Sequence, residues 1–185
     1  FEVLQNQMSP HFLFNSLNTL SSLISINPEK AELFVQEFSK IYRYVLDVRD
    51  KSLVPFSQEL AFVDSYIFLQ KIRFDNCLHF EKKIEGHVGD YYIPPLILQN
   101  VVENCIKHNK INEKYPLKIE IGLKNGKLTV INNLQERKED YPSPKTGLYN
   151  IEQRFKLLNG EAPKIYRKEG FYVAELKLQK LEEEP

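Results

Sequence analysis

Apolar residues recur at helical spacing through the first fifty positions and mostly at alternating spacing later in the chain. In the opening segment Leu13, Leu17, Leu20 and Ile24 fall four, three and four apart. In the next, Ala31, Phe34, Phe38, Ile41, Val45 and Val48 step three, four, three, four, three. Such a stripe lets helices pair at a shallow crossing angle. Between the two lies SINPEK, where Asn27 suits a helix cap and Pro28 a first helical position. So short a link makes the helices antiparallel neighbours. A lone hairpin is too small to bury its own stripe, and two packings follow. Two copies can join as a four-helix bundle, or the hairpin can lie against the rest of its own chain. The heptad spacing favours the dimer.

Beyond residue 50 the texture becomes mixed α/β. The pattern predicts a helix from Ser57 to about Arg73, capped by Ser57 with Glu59 in its first turn. A strand is expected over Leu78 to Ile84 and a helix over about Pro95 to Lys107. KIEIGLKNGKLTVIN reads as two alternating strands joined by Asn125-Gly126, a strong hairpin signal. LQERKEDYPSPK, from Leu134 to Lys145, is polar, broken by prolines and without periodicity, so it reads as a long functional loop. A helix from Thr146 to Leu158 should stop at Asn159-Gly160. A last hairpin should turn at Glu169-Gly170, ahead of a frayed acidic tail, LEEEP.

The chain has 185 residues, 42% of them hydrophobic, which is too apolar for disorder. Lys plus Arg and Asp plus Glu number 25 each, so no global field draws nucleic acid or an anionic membrane. Cys77 and Cys105 form no CxxC and no metal-ligand spacing, and Cys105 reads as a buried, inert thiol. No apolar run approaches the roughly 18 residues of a membrane span. The chain opens on Phe1 and is read as part of something longer.

Two segments carry a family resemblance. QMSPHFLFNSLNTL resembles the phosphoacceptor box of LytS-type sensor histidine kinases. PPLILQNVVENCIKHN resembles their N box, the ATP- and metal-binding helix of the GHKL ATPase fold. VPFSQELAFVDSYIFLQKIRF resembles the start of the family's catalytic domain, and TGLYNIEQRF the end of its glycine box. These pieces keep the family's order and spacing over nearly the whole chain. The resemblance implies an α+β protein: a helical-hairpin dimerisation domain over 1–50, then a GHKL-type α/β-sandwich ATP-binding domain over 51–185. It implies ATP and Mg²⁺ as cofactors, a homodimer, and autophosphorylation of His11. A response regulator's aspartate would then take the phosphate. A sensor and membrane helices would lie upstream.

The residues fit that chemistry. Phosphoryl transfer needs a placed nucleophile and charge stabilisation more than covalent work by the protein. A neutral imidazole is a competent nucleophile near pH 7. Pro10 should kink the helix just before His11 and push the ring outward, although Ser9 and Pro10 also suit a plain helix start. Asn15 and Asn18 face roughly the same way as His11, and Asn15 is suited to orient imidazole, phosphate or water. Phe12 stands where many histidine kinases carry an acid, which leaves Glu103 as the candidate proton acceptor.

In the N box, Asn104 is the expected Mg²⁺ ligand, with waters and phosphates completing the shell. Lys107 and His108 are candidates for phosphate or base contact. Asn100 stands where hydrolytic relatives carry a water-activating glutamate, and an amide cannot serve as that base. The sequence also departs from the family. No DxGxG box follows the strand VINNLQERKED. Asn132 or Asn133 would have to offer an amide oxygen to adenine, and Asn133 is preferred. KTGL replaces GxGL, leaving Gly147 with Asn150 as the nearby nucleotide contacts. Fewer glycines limit how closely backbone N–H groups approach phosphate. Two rival readings therefore stand beside the kinase: a degenerate dimeric scaffold, and a GHKL-type ATPase or serine kinase with His11 idle.

Overall fold

Asn27 turns the chain between its first two helices. Its backbone N–H closes the first, donating to the Leu23 carbonyl at 2.8 Å, while its Oδ1 accepts from the Lys30 N–H at 3.0 Å. The helices are α1 (Pro10–Ile26) and α2 (Pro28–Asp47), as the stripes and the Asn-Pro pair predict. The computed structural model describes residues 10–136, 155–156 and 161–180, and side chains in α1 from Phe12 onward.

The α2 stripe is covered within the chain. Ala31, Phe34, Ile41, Val45 and Val48 are all buried, with Phe38 packed against them. The cover comes from α1 and from a third helix, α3 (Phe56–Phe74), which lies along α2. Phe12 and Phe38 stack at 6.4 Å between ring centroids and Phe34 and Phe38 at 6.2 Å, while Tyr44 packs on Phe62 at 4.8 Å. The stripe whose spacing suggested a dimer thus finds its cover within the chain, on α3, which begins nine residues after α2 ends. Other apolar side chains remain exposed: Phe14, Leu17 and Ile24 on α1, and Val35 and Leu46 on α2.

α3 starts at Phe56, with Pro55 in the cap position and no side-chain cap. The Ser57 cap expected from sequence does not form. β1 (Val54–Pro55) precedes the helix and pairs antiparallel with β3 (Tyr91–Ile93). After β2 (Leu78–Ile84) and β3 comes α4 (Ile97–Lys107), the helix expected at the N box. The Asn125-Gly126 hairpin joins β4 (Leu117–Lys124) to β5 (Lys127–Asn133). Its two turn residues have φ of 51° and 75°, the left-handed pair that such a turn requires. The Glu169-Gly170 turn, with φ of 50° and 80°, joins β6 (Lys164–Lys168) to β7 (Phe171–Lys177).

Five strands form one sheet in the order β2-β4-β5-β7-β6. β2 and β4 run parallel, with α4 in the crossover between them, and the other pairs are antiparallel. A smaller sheet, β1-β3-β8, closes one side, with β8 at Gln179–Lys180. α4 packs on β4 and β5, and α3 packs on β2 and α4. The inward row of β4 and β5 is apolar: Leu117, Ile119, Ile121, Leu123, Leu128 and Val130. One core cluster runs from Phe12 and Phe34 through α3 and α4 to these strands. Helical hairpin followed by α/β sandwich is therefore the architecture, as the sequence led us to expect.

Candidate functional site

The helix α4 begins without help from its own sequence. The run before it is Pro94-Pro95-Leu96, and Leu96 occupies the cap position with φ of 65° and no side-chain cap. A helix N-terminus leaves several backbone N–H groups unpaired. Here Glu59 of α3, fully buried, supplies the acceptors. Its Oε1 accepts from the Leu96 N–H at 2.8 Å and its Oε2 from the Leu98 N–H at 3.1 Å. Oε1 also accepts from the Tyr44 hydroxyl of α2 at 2.6 Å. The sequence suggested only a first-turn dipole contact for Glu59, whereas its carboxylate caps a different helix.

Along α4 the polar residues divide into two sets. Gln99 and Glu103 bond to one another, Nε2 donating to Oε2 at 2.5 Å. Glu103 also faces the buried Tyr66 of α3. Burial first, then the charge of Glu103, holds the Tyr66 phenol well above its usual value. Asn100 and Asn104, one turn apart and half-buried, have no side-chain partner among the described residues. Both amides therefore keep hydrogen-bonding capacity open to solvent or to a ligand. At the helix end the His108 N–H donates to the Asn104 carbonyl at 3.1 Å, leaving the Asn104 side chain uncommitted. Lys107 is exposed and His108 half-buried. Cys105 lies in the core, and burial pushes its thiol up to about 12, which makes it inert as expected.

The C-terminal end of α4 is stitched to the exit of β5. Asn109, nearly fully buried, donates from Nδ2 to the Cys105 carbonyl at 2.8 Å and accepts at Oδ1 from the Gln135 N–H at 2.6 Å. The Lys110 N–H donates to the Gln135 carbonyl at 2.8 Å. These bonds bring the end of β5 to the corner occupied by the later turns of α4. Asn109 was not singled out from the sequence, although a polar residue just past an apolar helix face is a usual helix-stop signal.

At that corner the two asparagines of β5 behave differently. Asn133, the residue preferred from sequence, uses both ends of its amide: Oδ1 accepts from the Lys118 N–H at 2.7 Å and Nδ2 donates to the Pro116 carbonyl at 3.0 Å. Asn132 is 1% exposed, and its Nδ2 donates to the Asn133 carbonyl at 2.8 Å. Its Oδ1 is buried with no partner among the described residues. Strand alternation explains the difference, since Asn132 continues the inward row of Leu128 and Val130 while Asn133 points away. The structure thus moves the free inward acceptor from Asn133 to Asn132. An adenine amine is a donor, and a buried carbonyl oxygen lacking one fits it. An amide oxygen at Asn104 likewise suits Mg²⁺, which keeps most of its shell for water and phosphate.

His11 lies on α1, but its side chain is outside the described residues. Its neighbour Phe12 is buried and packs on Tyr66 at 5.1 Å between ring centroids. Tyr66 in turn senses Glu103, so Phe12 and Tyr66 link the start of α1 to the N-box helix. Asn15 is half-buried and lines a small crevice with Thr19, Gln70 and Arg73. Gly147, Asn150, Lys145 and most of the 134–145 loop lie outside the described residues, as does the expected Thr146–Leu158 helix apart from residues 155–156.

A family profile described as Histidine kinase matches residues 1–78. The chain is 36% identical over 120 residues to the sensor histidine kinase/phosphatase LytS of Staphylococcus aureus, a match covering 65% of this chain and 20% of LytS. Among solved structures, a bacterial phosphotransferase superimposes with a TM-score of 0.53 at 9% identity, covering 94% of this chain and 93% of that one. The cytoplasmic segment of histidine kinase QseC superimposes at 0.49 with 16% identity, covering 82% and 94%. These matches make the chain similar to protein-histidine kinases. Within that class it is similar to the LytS-type sensor kinases in its N-terminal segment and over the matched 120 residues, and it spans about a fifth of the length of the curated relatives it matches.

Proposed function

We propose that this chain is the kinase core of a two-component sensor, phosphorylating its own His11 from Mg-ATP and passing the phosphate to an aspartate of a response regulator. One observation carries the reading: Asn100, Asn104 and Asn132 are buried or half-buried amides with side-chain atoms unsatisfied by described residues, on two elements stitched together by Asn109 and Gln135. Asn132 Oδ1 would accept from the adenine amine, and Asn104 would hold the Mg²⁺ that neutralises the phosphates. Lys107 and His108 lie at the phosphate end of the same helix, with Gly147 and Asn150 as the remaining nucleotide contacts. The neutral imidazole of His11 attacks the terminal phosphorus and the bond to the ADP oxygen breaks, with Asn15 orienting the ring and Glu103 as proton acceptor. An amide at position 100 withholds the base that hydrolysis would need, which favours transfer to histidine.

On this reading residues 1–50 form the dimerisation and phosphoacceptor domain and 51–185 the catalytic domain. The exposed Phe14, Leu17, Ile24, Val35 and Leu46 support a homodimer through the hairpin. The described residues contain no helix long and apolar enough to cross a membrane. The segment acts on the cytoplasmic side of a membrane-bound sensor. Incubation with γ-labelled Mg-ATP tests the reading. The protein should take up an acid-labile, alkali-stable label that His11→Gln abolishes, whereas equal labelling of the two would remove His11 from the reaction.

A further inference from the structure

Glu59 is the one fully buried carboxylate among the described residues, and it accepts three hydrogen bonds from other elements. Two come from the first turn of α4 and one from α2. A buried carboxylate is costly unless its oxygens are satisfied, so its retention here calls for a reason. The first turn of α4 supplies one. With Pro-Pro-Leu before it and Leu96 in the left-handed region, this helix has no local cap, and an acceptor 37 residues back in the chain fixes where it starts. The Asn100 N–H donates to the Leu96 carbonyl at 3.0 Å, so the residue held by Glu59 also closes the turn that carries Asn100. Asn104 stands one turn further on.

The third donor gives this cap a second connection. Tyr44 belongs to the hairpin, and its ring is held against the buried Phe62, so its hydroxyl reaches Glu59 from a fixed position. Burial first, and then the neighbouring charge of Glu59, raises the Tyr44 phenol, so the hydroxyl keeps its proton and remains a donor. α2, α3 and the start of α4 therefore meet in a single carboxylate.

We propose that Glu59 is a positioning residue for nucleotide binding, and that the Tyr44 hydroxyl, through Glu59, sets the first turn of the Asn100–Asn104 helix from the dimerisation hairpin. The nucleotide arm of this proposal rests on the kinase reading given above, while the helix arm does not.

Tyr44→Phe keeps the ring against Phe62 and removes only the donor. Glu59→Gln keeps the size but opposes an NH₂ group to one of the two backbone N–H donors. Both variants are measured at a temperature where circular dichroism finds them folded, by Mg-ATP titration and by amide exchange over residues 96–107. Tyr44→Phe should bind Mg-ATP roughly threefold to tenfold more weakly, and Glu59→Gln tenfold or more, as expected when about one hydrogen bond to a charged group is lost. The amides of Leu98 to Asn100 should exchange faster in both. Folded variants with wild-type affinity and wild-type exchange would overturn the proposal, leaving Glu59 a plain core group. Lower thermal stability with unchanged affinity would do the same. Should the wild type bind no nucleotide, the kinase reading fails and the exchange arm decides alone. Faster exchange confined to the first turn of α4 then supports the positioning role, and unchanged exchange sinks it.

Discussion

An Asn132→Leu substitution separates the stability of the empty fold from its capacity to bind. Leucine shares asparagine's branching at Cγ and its count of side-chain heavy atoms, and it would face inward in the same row as Leu128 and Val130. In the protein without nucleotide, Asn132 Oδ1 is a buried acceptor with no described partner, a defect that costs on the order of 1–3 kcal/mol. The substitution removes that defect and gives up the Nδ2 bond to the Asn133 carbonyl, worth about 1 kcal/mol. The net change is a gain of about 1 kcal/mol, which raises Tm by about 2–4 °C for a chain of this length. In the complex the sign reverses. The adenine amine would lose its acceptor and be left buried and unpaired, which weakens Mg-ATP binding by about 1–3 kcal/mol, or roughly tenfold to a hundredfold. Differential scanning calorimetry without nucleotide and a fluorescent-nucleotide titration give the two numbers. A variant with lowered Tm and unaltered affinity would refute the reasoning at both ends.

Other outcomes follow from the packing. Phe12→Ala should destabilise the protein by about 3–5 kcal/mol in denaturant unfolding, because its buried ring fills the space between Tyr66 and Phe38; a loss below about 1 kcal/mol would mean that α1 is not docked there. Leu17→Glu with Ile24→Glu should shift light scattering from dimer to monomer with little change in Tm, since both side chains are exposed within one chain. A wild-type monomer at tens of micromolar, a rough working range for such dimers, would remove the four-helix bundle. At pH 8 a thiol reagent should modify Cys77 in the folded protein and spare Cys105, whose thiol burial pushes up to about 12; rapid modification of both would place Cys105 outside the core.

The local signals in the chain were readable because short-range chemistry decides them. Asn27-Pro28 fixes a helix junction, Asn125-Gly126 and Glu169-Gly170 fix hairpins, and the α2 stripe is buried as its spacing demands. What covers that stripe was not readable. Periodicity states that a face is apolar, and does not say whether α3 or a second copy lies against it. The small β1-β3-β8 sheet escaped notice because two- and three-residue strands carry no alternation. Glu59 was legible only as a helix start, since its partners lie fifteen and nearly forty residues away. Asn132 is a different case. In KLTVINN the inward parity of Leu128 and Val130 already selects Asn132 over Asn133, so the signal was present and a count by twos would have found it.

The kinase account depends most on whether a corner with so few glycines still takes adenine nucleotide. Isothermal titration of the purified chain with Mg-ATP, beside Mg-GTP and beside Asn104→Asp, measures this directly. The account predicts saturable binding of Mg-ATP, weaker binding of Mg-GTP because guanine's C6 carbonyl oxygen meets Asn132 Oδ1 acceptor to acceptor, and a marked loss in Asn104→Asp. No heat of binding for Mg-ATP at millimolar nucleotide would contradict it and leave the chain a dimeric scaffold.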